Sequence, residues 1–317
     1  MPAGAGTGHA FAPPIIHAMN TLPATPCYLN GEFTPLCDAK ISVMDRGFIF
    51  GDGLYEVVPA YAGRPFRFAQ HMARLERSLA EMRIANPCPR EHWHAIAQRL
   101  VTDSAKAAGV EPGAIDQMVY IQITRGVAMR DHVMPQNITP TVFAMANIMR
   151  TPTAEQRANG VACVSANDFR WEKAHIKSTS LLGAVFARQI SFDAGATETV
   201  MFRGSFLSEA AASNVWVVKD AKVLGPPKDN LVLEGIRYGL IEELCRKLSL
   251  AFELRRITRD EVFGADELLL SSATKEVLAI TTLDGQAIGH TSYRGRPGPV
   301  CARLYAAYQD AKKTSAD

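Results

Sequence analysis

Phe169-Arg-Trp-Glu-Lys-Ala-His-Ile-Lys-Ser-Thr-Ser-Leu-Leu-Gly-Ala-Val185 sets Lys177 between an aromatic-rich approach and an apolar, helix-like run. The stretch reads as a short strand-like Ala174-His-Ile176, then a Ser/Thr turn, then a helix. A lysine held in such a turn is poorly placed to reach bulk solvent. A desolvated ammonium tends to lose its proton, and a neutral amine can attack a carbonyl to form a Schiff base. The plainer alternative is a surface lysine beside a helix whose N-cap is Ser178, Thr179 or Ser180. The stretch alone does not decide between them, and the rest of the chain must.

Outward from this point, the pattern is that of an α+β protein. Asn30-Gly31 between two short alternating runs, from Cys27 to Phe33, predicts a tight hairpin. Leu54 to Tyr61 reads as a strand that turns at Ala62-Gly63 and returns through Pro65-Phe-Arg-Phe68. Met72, Leu75, Leu79 and Met82 then recur at helical spacing, and a second helix carries Trp93, Ile96 and Leu100. Gln117 to Thr124 and Thr141 to Ala146 read as strands around a polar loop. Pro152 and the polar Thr153 to Arg157 mark a linker or the start of a second domain, so the expected organisation is a small α+β domain over residues 26–148 and a larger β-rich one over 149–317. The second half offers strands at Val161 to Ser165, Thr199 to Phe202, Asn214 to Val218, Phe252 to Ile257 and Glu267 to Leu270. Its amphipathic helices are Ser180 to Phe192, Gly235 to Leu248 and Pro299 to Lys312.

Composition narrows the function. A chain of 317 residues that is 47% hydrophobic and 21% charged can bury a sizeable core. A formal net charge of +2 with no Lys/Arg block gives no purchase to nucleic acid or an anionic membrane, which leaves a small molecule as the expected partner. Cys27, Cys37, Cys88, Cys163, Cys245 and Cys301 form no C-x-x-C pair and read as reduced thiols in a cytoplasm. No metal motif stands out: His92 and His94 flank Trp93 on a helix, His71 and His290 read as surface residues, and His175 as structural. Residues 1–25, rich in Gly, Ala and Pro, read as a disordered extension without the pattern of a secretion signal, and Met19 as a candidate alternative start.

Five motifs together carry a specific resemblance: Asp45-Arg-Gly-Phe-Ile-Phe-Gly-Asp-Gly-Leu-Tyr-Glu56, His175-Ile-Lys177, Leu207-Ser-Glu209, Ser213-Asn214 and Gly235-Ile236. The chain resembles the fold-type IV pyridoxal-phosphate enzymes from about Tyr28 to its last helix, and within them most resembles the D-amino-acid transaminases. The resemblance implies a two-domain homodimer with its active site at the interface, acting on an amino acid and a 2-oxo acid such as D-alanine and 2-oxoglutarate. It implies that Lys177 holds pyridoxal 5′-phosphate and moves the substrate proton, and that Glu209 keeps the cofactor's ring nitrogen protonated. Arg74 and the Gly235, Ile236 and Arg237 turn are implied phosphate ligands, with Ser272, Ala273 and Thr274 beside them and Leu233 packed on the ring. The family usually has hydroxyl residues where Arg237 and Ala273 stand, so this chain departs from the pattern at both positions.

Substrate choice turns on Arg125-Gly-Val-Ala-Met-Arg130-Asp-His132. Its Arg-x-His resembles the carboxylate trap of the D-amino-acid branch, completed by Tyr55; a guanidinium, an imidazole and a phenol can all donate to one α-carboxylate and so fix which face of Cα is presented. The alternatives on the same fold are a branched-chain L-amino-acid transaminase and an R-selective amine transaminase. The trap separates both from the first reading.

Overall fold

The hairpin at Asn30-Gly31 forms as its residues require: Leu29 pairs with Glu32 across a two-residue loop, with φ of 50° at Asn30 and 105° at Gly31. Asn30 also locks the hairpin to the neighbouring strand, since its backbone N–H donates to the Val142 carbonyl and its side-chain oxygen accepts from the Val142 N–H. The computed structural model describes residues 22–314. The expectations for Met19 and for nearly all of the N-terminal extension lie outside them.

The first half builds β1 (Pro26–Leu29), β2 (Glu32–Pro35), α1 (Arg46–Phe50), β3 (Gly53–Tyr61), β4 (Arg64–Pro65), α2 (Phe68–Glu81), α3 (Arg90–Ala107), β5 (Gln117–Thr124) and β6 (Thr141–Ile148). Its strands form an antiparallel sheet in the order β2-β1-β6-β5-β3-β4. The stripe Met72, Leu75 and Leu79 of α2 and the stripe Trp93, Ile96 and Leu100 of α3 bury against the inward residues Leu54, Val58, Val119 and Ile121 of that sheet. The return strand is shorter than the apolar pattern suggests, because Arg67 adopts φ 54° and turns the chain straight into α2 at Phe68.

The second half contributes α4 (Ala154–Asn159), β7 (Val161–Asn167), α5 (Leu182–Asp193), β8 (Glu198–Arg203), β9 (Phe206–Ala210), β10 (Asn214–Lys219), β11 (Lys222–Gly225), α6 (Ile236–Lys247), β12 (Phe252–Leu254), α7 (Arg259–Phe263), β13 (Glu267–Ser272), β14 (Glu276–Leu283), β15 (Gln286–Ala287) and α8 (Pro299–Thr314). The sheet runs β12-β11-β10-β13-β14-β7-β8-β9, with β15 on β14. Strand β10 shows why it reads as a continuous apolar run: Val215 and Val217 enter one core while Trp216 and Val218 enter the other, so both faces are covered.

The segment Thr153 to Arg157, expected as a linker or domain start, is the start of α4, because Thr153 and Gln156 form a reciprocal capping box. Two expectations need correction. The strand expected to reach Ile257 stops at Leu254, where Arg255 turns its guanidinium to Glu261 and Arg256 lays its own over the Phe206 ring. Ala174 to Ile176 is a turn rather than a strand, and only Ser178 makes a bridge, to Leu54. All six cysteines are free thiols, four of them buried. Among the described residues no helix is long and apolar enough to cross a membrane.

Candidate active site

The Asp45 to Glu56 motif is a scaffold that aims two side chains. Asp45 caps α1 by accepting from the Gly47 N–H at 2.8 Å, and Gly51 ends the helix with φ 65°. A Cβ on Gly51 would sit 2.8 Å from the Ser180 hydroxyl, so glycine is needed there for space as well as for its dihedral. Asp52 then accepts from Arg46 Nε at 2.7 Å and from Arg125 Nε and Nη2 at 2.8 and 3.0 Å. Burial pushes Asp52 up, but the two guanidiniums overcome it and hold the carboxyl below its usual range. The outcome is a rigid corner from which Phe50 and Tyr55 project into a cavity of about 1330 Å³.

Lys177 reaches the same cavity by pairing with the start of β3. Its carbonyl accepts from the Tyr55 N–H at 3.0 Å, the Thr179 N–H donates to the Gly53 carbonyl, and the Thr179 and Ser180 hydroxyls both donate to the Gly51 carbonyl. Those hydroxyls are therefore spent on α1 and cap nothing; α5 starts at Leu182 with no side-chain cap. Lys177 is half-buried, and its Nζ lies 4.0 Å from the centre of the Tyr55 ring.

On the far side, Glu209 is buried at the end of β9 among four donor contacts. Arg170 Nη1 donates at 2.7 Å, Asn214 Nδ2 at 3.1 Å and the Leu233 N–H at 3.3 Å to each carboxylate oxygen. Burial pushes the Glu209 carboxyl upward, and the Arg170 charge pulls it part of the way back. Arg170 is itself clamped by Asp168, which also accepts from Arg203 and the Ser208 hydroxyl. Arg170 was in plain view in the sequence, yet its partner is 39 residues away and no local spacing announces the pair.

The third wall is the N-terminus of α6. Gly235 is its N-cap with no side-chain bond, and a Cβ there would meet the Asn214 side-chain oxygen at 2.1 Å. The turn is thus a close-packed cradle whose leading amides no side chain caps. Arg74 stands over it, donating to the Glu234 carbonyl at 3.1 Å through Nη1 while Nε and Nη2 pair with Glu56 at 2.7 Å each. Burial would raise Glu56, but Arg74 and His71 hold it well below the carboxylate range. His71, expected on the surface, is buried: the α2 stripe that buries Met72 and Leu75 turns it inward, onto Glu56 at 2.8 Å. Desolvation pulls its pKa down to about 4, so it is neutral; its Nε2 is buried without a partner among the described residues. Arg237 is buried too, and its guanidinium donates to the Tyr308 hydroxyl.

One cavity therefore brings together Tyr55, Arg74, Lys177, Glu209 and Leu233 with the Gly235-Ile236-Arg237 turn and Ser272-Ala273-Thr274. Arg130 and His132 do not line it. They are exposed and grip the outer side of Phe50, the guanidinium 5.5 Å and the imidazole 5.4 Å from its ring centre, with Arg46 Nη1 pinning the Asp131 carbonyl at 2.6 Å.

The comparisons with known proteins agree with this architecture. Residues 53–283 match the profile of the family described as amino-transferase class IV. D-alanine aminotransferase of Bacillus licheniformis is 34% identical over 282 residues, spanning 89% of this chain and 95% of that protein. The enzyme of the same name from Staphylococcus haemolyticus is 33% identical over 281 residues, spanning 88% and 95%. Among solved structures, the branched-chain amino acid aminotransferase of Thermoproteus uzoniensis with norvaline superposes with a TM-score of 0.78 at 20% identity, covering 92% of this chain and 96% of that one. At that identity the likeness speaks for the fold. With most of its length matched and relatives above 30% identity along nearly all of it, the chain belongs to the class IV aminotransferase family.

Proposed function

We propose that the chain exchanges the amino group of D-amino acids, D-alanine among them, with 2-oxo acids such as 2-oxoglutarate, with pyridoxal 5′-phosphate in the cavity described above. The observation that carries this reading is the convergence of Lys177, Glu209 and the uncapped α6 turn on one cavity, in a chain whose curated relatives named above are D-alanine aminotransferases. The residues fit the cofactor. An uncapped helix start with Arg74 and Arg237 beside it suits a phosphate, and a buried carboxylate suits a protonated ring nitrogen.

Each residue then has a task. The Ile236 and Arg237 amides and Arg74 hold the phosphate, with Ser272 and Thr274 within the same cavity wall where Ala273 lacks a hydroxyl. Leu233 packs against the ring. Glu209, clamped by Arg170, holds the ring nitrogen protonated, and when bound the cofactor supplies the electron sink that accepts the pair left as the substrate Cα–H bond breaks. Lys177 anchors the cofactor and, once freed by the substrate amine, carries the proton at Cα through its Nζ. Tyr55 shields that amine on one side and donates to the substrate carboxylate. On this assignment Glu209→Gln should lower kcat by about 10²-fold with little change in cofactor retention, because Arg74 and the α6 turn remain. Stopped-flow rates beside equilibrium dialysis of cofactor check it, and an unchanged kcat removes Glu209 from its role.

Arg130 and His132 complete the trap in a second copy, across a two-fold interface. Two features support a homodimer: the trap residues are exposed and do not line their own cavity, and apolar side chains stand exposed around both the trap loop and α5, including Met129 at 83% and Phe192 at 72%. The cytoplasm is the proposed compartment, supported by six free thiols. A division into two domains near residue 148 is supported by the split of strands between the two sheets.

A chiral donor panel tests the substrate class. With 2-oxoglutarate as acceptor, D-alanine should turn over at least ~10²-fold faster than L-leucine or L-valine. A preference for the L-branched donors, or for amines without a carboxylate, sinks the D-amino-acid reading and leaves the family assignment standing.

A further inference from the structure

Charge is out of balance behind the phosphate turn. Four ionisable groups cluster there, all buried: Glu56 from β3, His71 and Arg74 from α2, and Arg237 from α6. Arg74 is paired with Glu56 on two bonds, and His71 is neutral, so the Arg237 charge is left over. Among the described residues Arg237 has no carboxylate within ion-pair distance. Its bonds are to a phenol hydroxyl: Nε and Nη2 donate to the Tyr308 hydroxyl at 3.2 and 2.9 Å, and that hydroxyl lies 3.3 Å from the hydroxyl of Tyr61. Burial drives the Tyr61 phenol far above its usual range, so it cannot serve as the missing anion. An unpaired buried cation is expensive, and the positive end of α6 adds to the excess. The site is built to be neutralised by an anion at that helix start.

The partners of Arg237 lie at the junction of the two halves of the fold. Tyr61 ends β3 in the first sheet; Tyr308 is the buried centre of α8, the last helix, which packs with α6 over the second sheet. Tyr61 and Phe66 join that second core, and Lys312 of α8 reaches back over the Tyr61 ring at 4.0 Å.

We propose that Arg237 couples occupancy of the phosphate site to the seating of α8: an anion at the α6 turn balances the Arg237 charge, which in turn fixes the Tyr308 and Tyr61 hydroxyls and closes the last helix onto the junction. The proposal rests on the cofactor reading given above. Without the anion, the buried guanidinium is best relieved by letting water in along α8.

Hydrogen exchange followed by mass spectrometry, on the full chain with and without its cofactor, tests it. In the wild-type protein, amides of Leu304 to Tyr308 should exchange at least about tenfold more slowly in the holoenzyme than after the cofactor is stripped. Inorganic phosphate at about 10 mM, added to the stripped protein, should restore a measurable part of that protection. In Tyr308→Phe, which keeps the ring, the ratio should fall below about threefold; in Arg237→Met it should approach one. A wild-type ratio near one in protein whose absorbance shows full loading overturns the coupling alone, as does an undiminished ratio in Tyr308→Phe. A protein that takes up no cofactor overturns the reading of the site, and the coupling with it.

Discussion

Lys177→Ala is expected to lose transamination by at least about 10⁴-fold, because on the proposed assignment it removes both the anchoring amine and the group that carries the Cα proton. The surrounding structure predicts that the loss is chemical and not structural. Lys177 holds its place through its backbone, whose carbonyl accepts from the Tyr55 N–H, while the neighbouring Thr179 and Ser180 hydroxyls fasten the turn to Gly51. None of those bonds uses the lysine side chain, so an alanine leaves the wall of the cavity standing. The variant should still bind the cofactor reversibly through Arg74 and the α6 turn, while borohydride, which should fix the cofactor to Lys177 in the wild type, should fix none. Peptide mapping of the reduced protein reads this directly. A covalent adduct on another lysine, or activity within about tenfold of wild type, would show that the reactive amine lies elsewhere.

How much of this was legible in the sequence follows from which contacts are local. The Asp45 to Glu56 motif could be recognised, but recognition did not say what it is for: Asp45 is a helix cap, Asp52 clamps Arg46 and Arg125, and Glu56 anchors Arg74 and His71. Within that motif it is Tyr55 whose ring meets the Lys177 amine. The capping box of Thr153 and Gln156 was readable from its spacing alone and signals α4 where a polar linker or domain start was expected. His71 could have been found too, since it sits one residue before Met72 on the stripe that α2 buries. By contrast, the clamp of Arg170 on Glu209 and the bonds from Arg237 to Tyr308 join residues 39 and 71 positions apart, and a loop-to-strand or helix-to-helix contact of that kind leaves no trace in local pattern. Strand β14, buried along nearly its whole length, was not anticipated in the sequence.

The placement of the trap gives the second large effect. Arg130 and His132 sit on the outer side of Phe50, beyond the cavity that holds Tyr55 and Lys177 of the same chain. If they serve the neighbouring subunit, two inactive proteins should rescue one another. One is Lys177→Ala, the other the double variant Arg130→Ala/His132→Ala, whose exposed side chains can be truncated with little cost to folding. Unfolded together in equal amounts and refolded, their subunits re-pair at random, and half of the dimers are mixed. In each mixed dimer one site combines the intact lysine of the loop variant with the intact loop of the lysine variant, while the other site carries both defects. About one quarter of wild-type activity should therefore return, one restored site of two in half of the dimers. Serving its own subunit, the loop would leave a defect in every site, and activity would stay at the average of the two parents. That average, measured in a sample whose mixed dimers are confirmed by mass, would place the trap in cis; a quarter of full activity requires a second copy of the chain in every working site.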